Sequence, residues 1–380
     1  MTGKTFCALA GAVLMNGKVL ISIETRFFNL WLEALGDGKK KILDIDSSQE
    51  LLFVQGTAQL KLLMQQAVEG LLDHVKVIVV AARTLNIYLE AYESFNGDLE
   101  GSYPFPPEQF YEALEVVTRI KDEVHLNLFQ NFFEEVHMHV HKSFSLSATL
   151  EDGTFRDKVL AILFPKKMRS PEVEYLQYIS STALMYTLRE PWKARFTQRG
   201  STDYIHNVYE QYIMKDKKLR EHYFEMVFEW VESEYLRVRK DRQRAVIFFE
   251  STEMATAAQA YLKNRCKGIE ITRYCASLGD EYQVARDGDL LITTPKSFGT
   301  GFDVEDLICT LMTNSINSQN TNLQILGRLR VLKNYKGLTP RFYYFVCTDI
   351  PKQMDYHETK LLQFSGKVKD QKVIFLNNTI

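Results

Sequence analysis

The sequence predicts an α/β fold in which two parallel-sheet lobes follow one another, joined by a helical connector. The length of 380 residues suggests two or three domains at roughly 100–200 residues each. Hydrophobic residues make up 46% of the chain, which is enough to build packed cores. Strand-like and helix-like segments alternate in two separate series, as they do in α/β domains. A single small module and a disordered chain are therefore excluded.

The first series of alternating segments lies near the amino terminus. Apolar, strand-like runs at 19–23 and 75–82 are each followed by a helix-like stretch, at 27–35 and 85–95. This alternation indicates βαβ units and a mostly parallel sheet. We assign residues 1–150 to the first lobe.

The second series lies in the carboxyl-terminal half. Strand-like runs at 245–249, 289–293 and 341–346 enclose a helical pattern at 254–263. We assign residues 241–350 to the second lobe.

Two ranges lie outside the predicted lobes. Residues 151–240 carry aromatic and charged side chains at helical spacing, as in Tyr223, Val227 and Trp230, which predicts a helical connector or insertion. Residues 351–380 are left as a carboxyl-terminal extension.

Charge and cysteine content limit the classes of function. Lys and Arg number 46 against 48 Asp and Glu, a net charge of −2, so any nucleic-acid binding must use local patches. The five cysteines stand apart without a paired motif, which favours reduced thiols in a cytoplasmic compartment. No apolar run approaches the roughly 20 residues of a membrane span, so we expect no membrane association.

The tripeptide Gly3-Lys4-Thr5 precedes a segment able to form a helix. In a phosphate-binding loop the lysine contacts phosphates, the threonine binds Mg²⁺ and the helix amino terminus faces the anion. Only the end of such a motif is present, because its first glycine and the strand before it would precede Met1. Taken alone, the tripeptide is explained equally well by chance.

Acidic and hydroxyl side chains follow two strand-like segments of the first lobe. Asp122-Glu123-Val-His125 comes after an apolar stretch, and Ser147-Ala-Thr149 comes after the alternating run 139–146. Adjacent carboxylates at the mouth of a strand can hold Mg²⁺ and polarise a water molecule. A solvated acidic turn is the alternative meaning of such a pair.

Two further motifs lie in the second lobe. A Gly-rich segment, 299–303, follows a strand, and Gln324-Ile-Leu-Gly327-Arg328-Leu-Arg330 comes soon after it. Guanidinium groups suit a charged phosphate because they stabilise the charge that develops in phosphoryl transfer. A solvated basic face is the alternative.

Together the ordered motifs GKT, DEVH, SAT, GTGFD and QxxGRxR resemble those of a superfamily 2 DExH-box helicase. The resemblance spans 3–330, and its short last motif is similar to that of viral and phage DNA helicases. Two supporting segments agree, since 20–26 resembles the nucleic-acid-contacting motif Ia and 245–252 resembles motif IV. The resemblance implies two RecA-like lobes, with ATP and Mg²⁺ as cofactors and nucleic acid as partner, DNA being favoured over RNA.

The resemblance also implies a role for each matching residue. The residues that would hold nucleotide are Gly3, Lys4, Thr5, Gly301 and Asp303, with Thr5 and Asp122 as metal ligands. The residues that would carry hydrolysis are Asp122, Glu123, Gln324, Arg328 and Arg330. The residues that would contact nucleic acid or couple it to ATP are Thr25, Arg26, His125, Ser147, Thr149, Ser251 and Thr300.

Three departures from the family pattern leave an alternative open. The first motif begins part-way through, Glu24 stands where proline is common, and one residue rather than two separates the last arginines. The leading interpretation is an ATP-dependent helicase or translocase in the cytoplasm, or in the host nucleus if viral. The alternative is a truncated or degenerate relative that binds nucleic acid without hydrolysing ATP.

Other residues are weaker candidates for a binding or metal site. Two basic stretches could bind nucleic acid, with Trp192 and Phe196 as stacking residues in the first, although solvated helix faces would have the same composition. Their cations are Arg189, Lys193, Arg195 and Arg199, then Arg237, Arg239, Lys240, Arg242 and Arg244. Three alternating histidines, His137, His139 and His141, could bind zinc if they lay on one strand, but we expect an ordinary core strand there.

Overall fold

The computed structural model describes residues 3–15, 17–28, 31, 35, 50–94, 102–124, 128–147, 156–169, 176–198, 200, 203–281, 285, 287–298, 304–332, 334–335 and 337–380. The chain divides into two compact units, Met1–Arg169 and Ser170–Ile380.

The first unit contains a five-stranded sheet, in the order β2-β3-β1-β4-β5, whose strands all run parallel. Its strands are β1 Lys18–Ile23, β2 Leu51–Val54, β3 Val77–Ala81, β4 Val116–Lys121 and β5 Lys142–Ser145. Its described helices are α1 Gly3–Leu14, α2 Thr57–Val68, α3 Ala82–Ser94, α4 Phe110–Ala113, α5 Leu128–His137 and α6 Arg156–Leu163. Every residue of β3 is buried, because helices cover both faces of a parallel sheet.

The second unit contains a seven-stranded sheet, in the order β12-β6-β11-β10-β7-β9-β8, and it too is parallel throughout. Its strands are β6 Ser180–Thr187, β7 Arg244–Phe248, β8 Ile271–Tyr274, β9 Leu290–Thr293, β10 Leu307–Met312, β11 Arg341–Cys347 and β12 Asp370–Thr379. Its described helices are α7 His206–Lys215, α8 Lys217–Trp230, α9 Thr252–Arg265, α10 Pro295–Phe298, α11 Gln319–Leu326 and α12 Pro351–Phe364. A π-helical segment, Val231–Leu236, continues α8.

Apolar clusters lie on both faces of each sheet. In the first unit, α1 packs on one face and α2, α3 and α4 pack on the other. In the second unit, α7, α8 and α9 cover one face, while α10, α11 and the end of α12 cover the other. Each unit is therefore a three-layer α/β domain, and the predicted fold class of two parallel-sheet lobes is confirmed.

The predicted domain boundaries need correction. The range 151–240 is not helical throughout, because it contains β6, which pairs with β11 and β12 inside the second sheet. The predicted extension, 351–380, supplies α12 and the edge strand β12 to the same unit. The sequence of β6, Ser-Ser-Thr-Ala-Leu-Met-Tyr-Thr, is buried up to its last residue. It therefore lacks the alternation that would have marked a strand between two strongly helical patterns.

Among the residues that the structure describes, no helix is both long enough and apolar enough to span a membrane.

Candidate functional site

The carboxyl ends of β1, β4 and β5 meet at one edge of the first sheet, because the three strands are parallel and adjacent. Their contacts extend past the strand ends. The amide of Asp122 donates to the Ser22 carbonyl at 3.2 Å, and the amide of Val124 donates to the Leu146 carbonyl at 3.0 Å. Asp122 and Glu123 therefore lie beside the segment that leads into Ser147.

Thr25 lies at the same edge of the first sheet. It follows β1 and opens a short 3₁₀ turn, Thr25–Phe27, with its side chain exposed. The backbone of Arg26 lies in the same turn. Predicted nucleic-acid contacts and predicted catalytic residues thus share one edge of the first sheet.

The amino terminus of α1 reaches the same edge. Only residues 15–17 separate α1 from β1, and Leu9 of α1 is buried in one cluster with Val19 and Ile21 of β1. The helix therefore runs antiparallel to the strand. The helix is about 18 Å long and the strand is about 20 Å long, so the two elements span nearly the same distance. The first turn of α1, which includes the backbone of Gly3, Lys4 and Thr5, lies level with the carboxyl ends of the strands.

Hydrogen bonds hold the carboxylate of Asp122 in place. The indole Nε1 of Trp31 donates to Oδ2 at 3.0 Å, and the amide of Glu123 donates to Oδ1 at 3.0 Å. Trp31 is fully buried, so its ring fixes the direction of the carboxylate. A side chain 91 residues away in sequence thus orients the predicted metal ligand.

Glu123 has a backbone φ of 48°. This left-handed conformation is uncommon for a residue with a β-carbon, and it costs of order 1–3 kcal/mol when the surroundings impose it. The hydrogen bond from its amide to Asp122 is part of what holds it. The chain therefore turns sharply at the end of β4, directly after Asp122.

A buried ionic cluster lies beneath the same strand end. Arg119 and Lys121 of β4 contact Glu134 and Glu135 of α5. Nη1 of Arg119 is 3.2 Å from Oε1 of Glu134, and Nζ of Lys121 is 3.2 Å from Oε2 of the same residue. Although burial acts against it, the cations Lys121 and Arg119 lower the pKa of Glu135.

The cluster joins three elements around the site. The Arg119 guanidinium also donates to Ser143 of β5 at 3.1 Å, and Asn131 of α5 donates to the carbonyl of Val124 at 2.9 Å. Since Lys121 directly precedes Asp122, the cluster fixes the strand that carries both carboxylates.

In the second unit, the segment that follows β7 is tied to a buried carboxylate. Glu210 of α7 accepts from the amides of Glu250 and Ser251 at 2.8 and 2.7 Å, and from the Ser251 hydroxyl at 2.6 Å. Burial raises the pKa of Glu210 to about 7, although these hydrogen bonds oppose the shift. Ser251 also caps α9, accepting from the amide of Met254 at 3.2 Å, so its hydroxyl has a structural role.

Two more buried titratable groups lie in the second unit. Burial, with a contribution from Lys360, lowers the pKa of His206 to about 3. The Ser315 amide donates to its Nδ1 at 3.1 Å, so the proton of the neutral ring is on Nε2. Burial lowers the pKa of Lys360 itself to about 7; its Nζ lies 4.6 Å from the ring centroid of Tyr344.

The motif Gln324–Arg330 lies at the end of α11. Gln324 is in the last turn of the helix, and Arg328 and Arg330 follow it on either side of the buried Leu329. The Leu329 carbonyl accepts from the hydroxyl of Tyr178 at 2.9 Å. This anchor fixes the backbone between the two arginines, of which Arg330 is exposed.

Several predicted site residues lie outside the described residues, and others have no described side chain. The former are His125, Thr149, Thr300, Gly301 and Asp303; the latter are Gly3, Lys4, Thr5 and Arg26. The structure brings Thr25, Asp122, Glu123 and Ser147 to one edge of the first sheet.

The structure does not gather the three histidines: among the described residues, no group of three or more His, Cys, Asp or Glu side chains is placed to hold a metal ion. His137 ends α5 instead of entering a strand, and its Nε2 lies 2.8 Å from Oε1 of Glu93. The strand there begins only at Lys142, and it is the partly exposed edge strand β5 rather than the expected core strand.

Sequence reasoning missed Trp31, Glu210 and the cluster around Arg119. None of these belongs to a short motif, since each acts through a contact with a distant segment. The alternation Arg119-Ile-Lys121 is typical of a strand with one solvated face. The signal in the sequence for a buried ionic cluster was the acidic pair Glu134-Glu135 on a later helix, which could pair with these two cations.

Similar solved structures share the whole fold. Mss116p bound to ssRNA and AMP-PNP matches with a TM-score of 0.55 and 17% identity, over 97% of this chain and 67% of that one. The DEAD-box helicase Mss116 bound to ssRNA and UDP-BeF matches with a TM-score of 0.54 and 15% identity, over the same 97% and 67%. The two units are RecA-like lobes in tandem.

A third structure matches over less of its own length. The ATP-dependent Type ISP restriction-modification enzyme LlaBIII, bound to DNA, has a TM-score of 0.56 and 14% identity, and the match covers 99% of this chain but 29% of that enzyme. No protein-family model matches the sequence, and no curated protein matches it.

Proposed function

We propose that this chain is an ATP-dependent nucleic-acid helicase or translocase of superfamily 2, of the DExH type and with DNA as the favoured substrate. The observation that carries the proposal is the pair Asp122-Glu123, held at the carboxyl end of β4 beside the edge that the amino terminus of α1 reaches. In tandem RecA-like lobes, this edge is where a nucleotide would meet both backbone amides and carboxylates.

The donors at this edge fit ATP and Mg²⁺. The first turn of α1 offers backbone N–H groups for phosphate oxygens, and Lys4 would add its ammonium charge. Asp122 and Thr5 supply the oxygen ligands that Mg²⁺ prefers. When bound, the metal neutralises phosphate charge and orients the leaving group.

The chain's own residues then divide the work of hydrolysis. Glu123 orients the attacking water and accepts its proton, while Asp122, held by Trp31, serves as the metal ligand. Gln324, Arg328 and Arg330 of the second lobe stabilise the charge that develops on the transferred phosphoryl group.

Coupling to nucleic acid would use the residues that share this edge. Thr25 and Arg26 contact the sugar-phosphate backbone, and Ser147, with His125 and Thr149, transmits the nucleotide state to that contact. Ser251 supports this coupling through the backbone of α9 rather than by its own hydroxyl, which Glu210 engages. We also propose a viral or phage source, because the short last motif, QxxGRxR, is similar to that of viral and phage DNA helicases.

The test is ATP hydrolysis by the purified chain, with and without single-stranded DNA, single-stranded RNA or branched DNA. We expect stimulation by nucleic acid, greatest with DNA, and a loss of about a hundredfold or more in turnover in Glu123→Gln. The matched control is Glu112→Gln, since Glu112 is exposed on α4 and should leave turnover unchanged. Nucleic-acid binding without hydrolysis would support the non-catalytic alternative, and unchanged turnover in Glu123→Gln would contradict the assigned roles.

A further inference from the structure

Trp192 is exposed in a way that the other two tryptophans are not. Its exposed fraction is 76%, against 0% for Trp31 and 4% for Trp230. It lies in the 3₁₀ turn Pro191–Lys193, shortly after β6 ends at Thr187. The ring is therefore at the carboxyl edge of the second sheet, and the proposed function assigns no role to it.

Backbone amides before and within the turn that carries Trp192 donate hydrogen bonds that hold it in place. Before it, the amide of Leu188 donates to Oδ2 of Asp349 at 2.7 Å, and the amide of Arg189 donates to the carbonyl of Ile380 at 2.7 Å. Within it, the amide of Ala194 donates to the Pro191 carbonyl at 3.1 Å. The indole is thus presented from a fixed base, which lowers the conformational entropy lost when a ligand binds.

The surroundings of the ring are basic. Arg189, Lys193 and Arg195 lie within three residues of it and are all exposed. The acid in this stretch, Glu190, forms an ion pair with Lys193 at 2.7 Å. Although the whole chain carries −2, segment 189–195 has an excess of positive charge.

This charge distinguishes between two kinds of occupant. Protein-binding surfaces are enriched in Trp and Arg but depleted of Lys, Glu and Asp, whereas the exposed side chains next to Trp192 include Lys193 and Glu190. A flat, exposed aromatic ring flanked by cations suits a ligand with planar faces and phosphates. Single-stranded nucleic acid has both.

We propose that Trp192 is a stacking platform for a base of single-stranded nucleic acid, with Arg189, Lys193 and Arg195 neutralising the adjacent phosphates. The proposal rests on the proposed function and adds to it a contact with a base, where the motif residues contact the sugar-phosphate backbone. Because every base has a π-face, the contact is tolerant of sequence.

The tryptophans themselves provide the measurement. Since Trp31 and Trp230 are buried, a base stacked on Trp192 should quench the exposed part of the intrinsic fluorescence. Titration with a short oligothymidylate and with a matched oligouridylate is expected to give saturable quenching that disappears in Trp192→Ala.

Affinity gives an independent readout by fluorescence anisotropy of a labelled oligothymidylate. Trp192→Ala should bind about 5- to 150-fold more weakly, and Trp192→Phe should recover most of the loss. The matched control is Leu362→Ala, because Leu362 is as exposed on α12 but has no assigned role. Arg195→Ala should lower the slope of log K against log salt by about one.

Thermal unfolding checks that each variant is folded. The proposal is overturned if Trp192→Ala binds the oligonucleotide within twofold of the unsubstituted protein, or if it retains the quenching. If that happens while the unsubstituted protein hydrolyses ATP and binds the strand, the platform alone fails. If the unsubstituted protein neither binds nucleic acid nor hydrolyses ATP, the proposed function fails as well.

Discussion

Replacing Arg119 by methionine removes the cation at the centre of the buried cluster under β4. The guanidinium contacts Glu134, Glu135 and Ser143, and it lies within 3.4 Å of the Tyr111 hydroxyl. Methionine fills much of the same volume but leaves Glu134 with Lys121 and Tyr111 as partners. The carboxylate of Glu134 then stays buried with fewer ionic and hydrogen-bond partners.

The expected cost is large because both partners are buried. The side chains of Arg119 and Glu134 are 1% and 4% exposed, whereas Lys76, in the ion pair with Glu50, is 58% exposed. Breaking a buried pair from one side costs about 3–5 kcal/mol, and removing an exposed partner costs about 0–1 kcal/mol. For a unit of this size, the melting temperature should fall by roughly 6–20 °C in Arg119→Met.

Calorimetric unfolding measures this difference, with Lys76→Met as the matched control in the same unit. A second variant, Arg119→Met combined with Glu134→Leu, should recover part of the loss, because both members of the pair become apolar. Folding lowers the pKa of Glu135 from its ordinary value of 4.5. The contribution of Glu135 to the free energy of unfolding is therefore complete above pH 4.5 and is lost as the pH falls below that value. A cost for Arg119→Met within about 1 kcal/mol of that for Lys76→Met would refute the reasoning.

Two further predictions concern single side chains. Trp31→Phe keeps an aromatic ring but removes the hydrogen-bond donor to Asp122, so ATP turnover should fall about tenfold or more. The control, Trp230→Phe in the other unit, should leave turnover unchanged. Equal effects of the two substitutions on turnover would contradict the positioning role of Trp31. Lys360→Met should raise the free energy of unfolding at pH 7 by more than about 1 kcal/mol, because the folded state lowers the pKa of Lys360 from 10.5 to about 7. The gain in the free energy of unfolding should shrink as the pH rises from 7 towards 10.5, where the unfolded chain also loses the proton of Lys360. Chemical denaturation at several pH values measures this trend, and a gain that grew with pH would contradict the prediction.

The sheets could be predicted from sequence where the strands are continuously apolar. Segments such as Val77–Ala81 and Arg244–Phe248 are buried on both faces, and helical patterns follow them, so the alternation is visible in one dimension. The strand β6 was missed because its polar residues Ser180, Ser181 and Thr182 are buried in the middle of a sheet. The strand β12 was missed because it lies at the edge of the sheet, where most of its side chains are exposed.

The candidate site could be predicted only as far as short motifs extend. Asp122 and Glu123 are adjacent in sequence and follow a strand, so their place at its carboxyl end was predictable. The contacts that hold them were not, because Trp31 and Glu134 come from separate segments whose approach depends on the complete fold. Likewise, the hydroxyl of Ser251 matched a motif, but the carboxylate that engages it lies 41 residues earlier.

The proposed function requires that carboxylates of the first lobe and guanidinium groups of the second act on one triphosphate. The most direct test is the steady-state turnover of ATP, at saturating single-stranded DNA, by Arg328→Ala and Arg330→Ala, with Arg265→Ala as the exposed control from α9. We predict that at least one of the first two variants loses about a thousandfold or more in turnover, while the control keeps it. Normal turnover in both Arg328→Ala and Arg330→Ala, with turnover still dependent on Glu123, would contradict the claim.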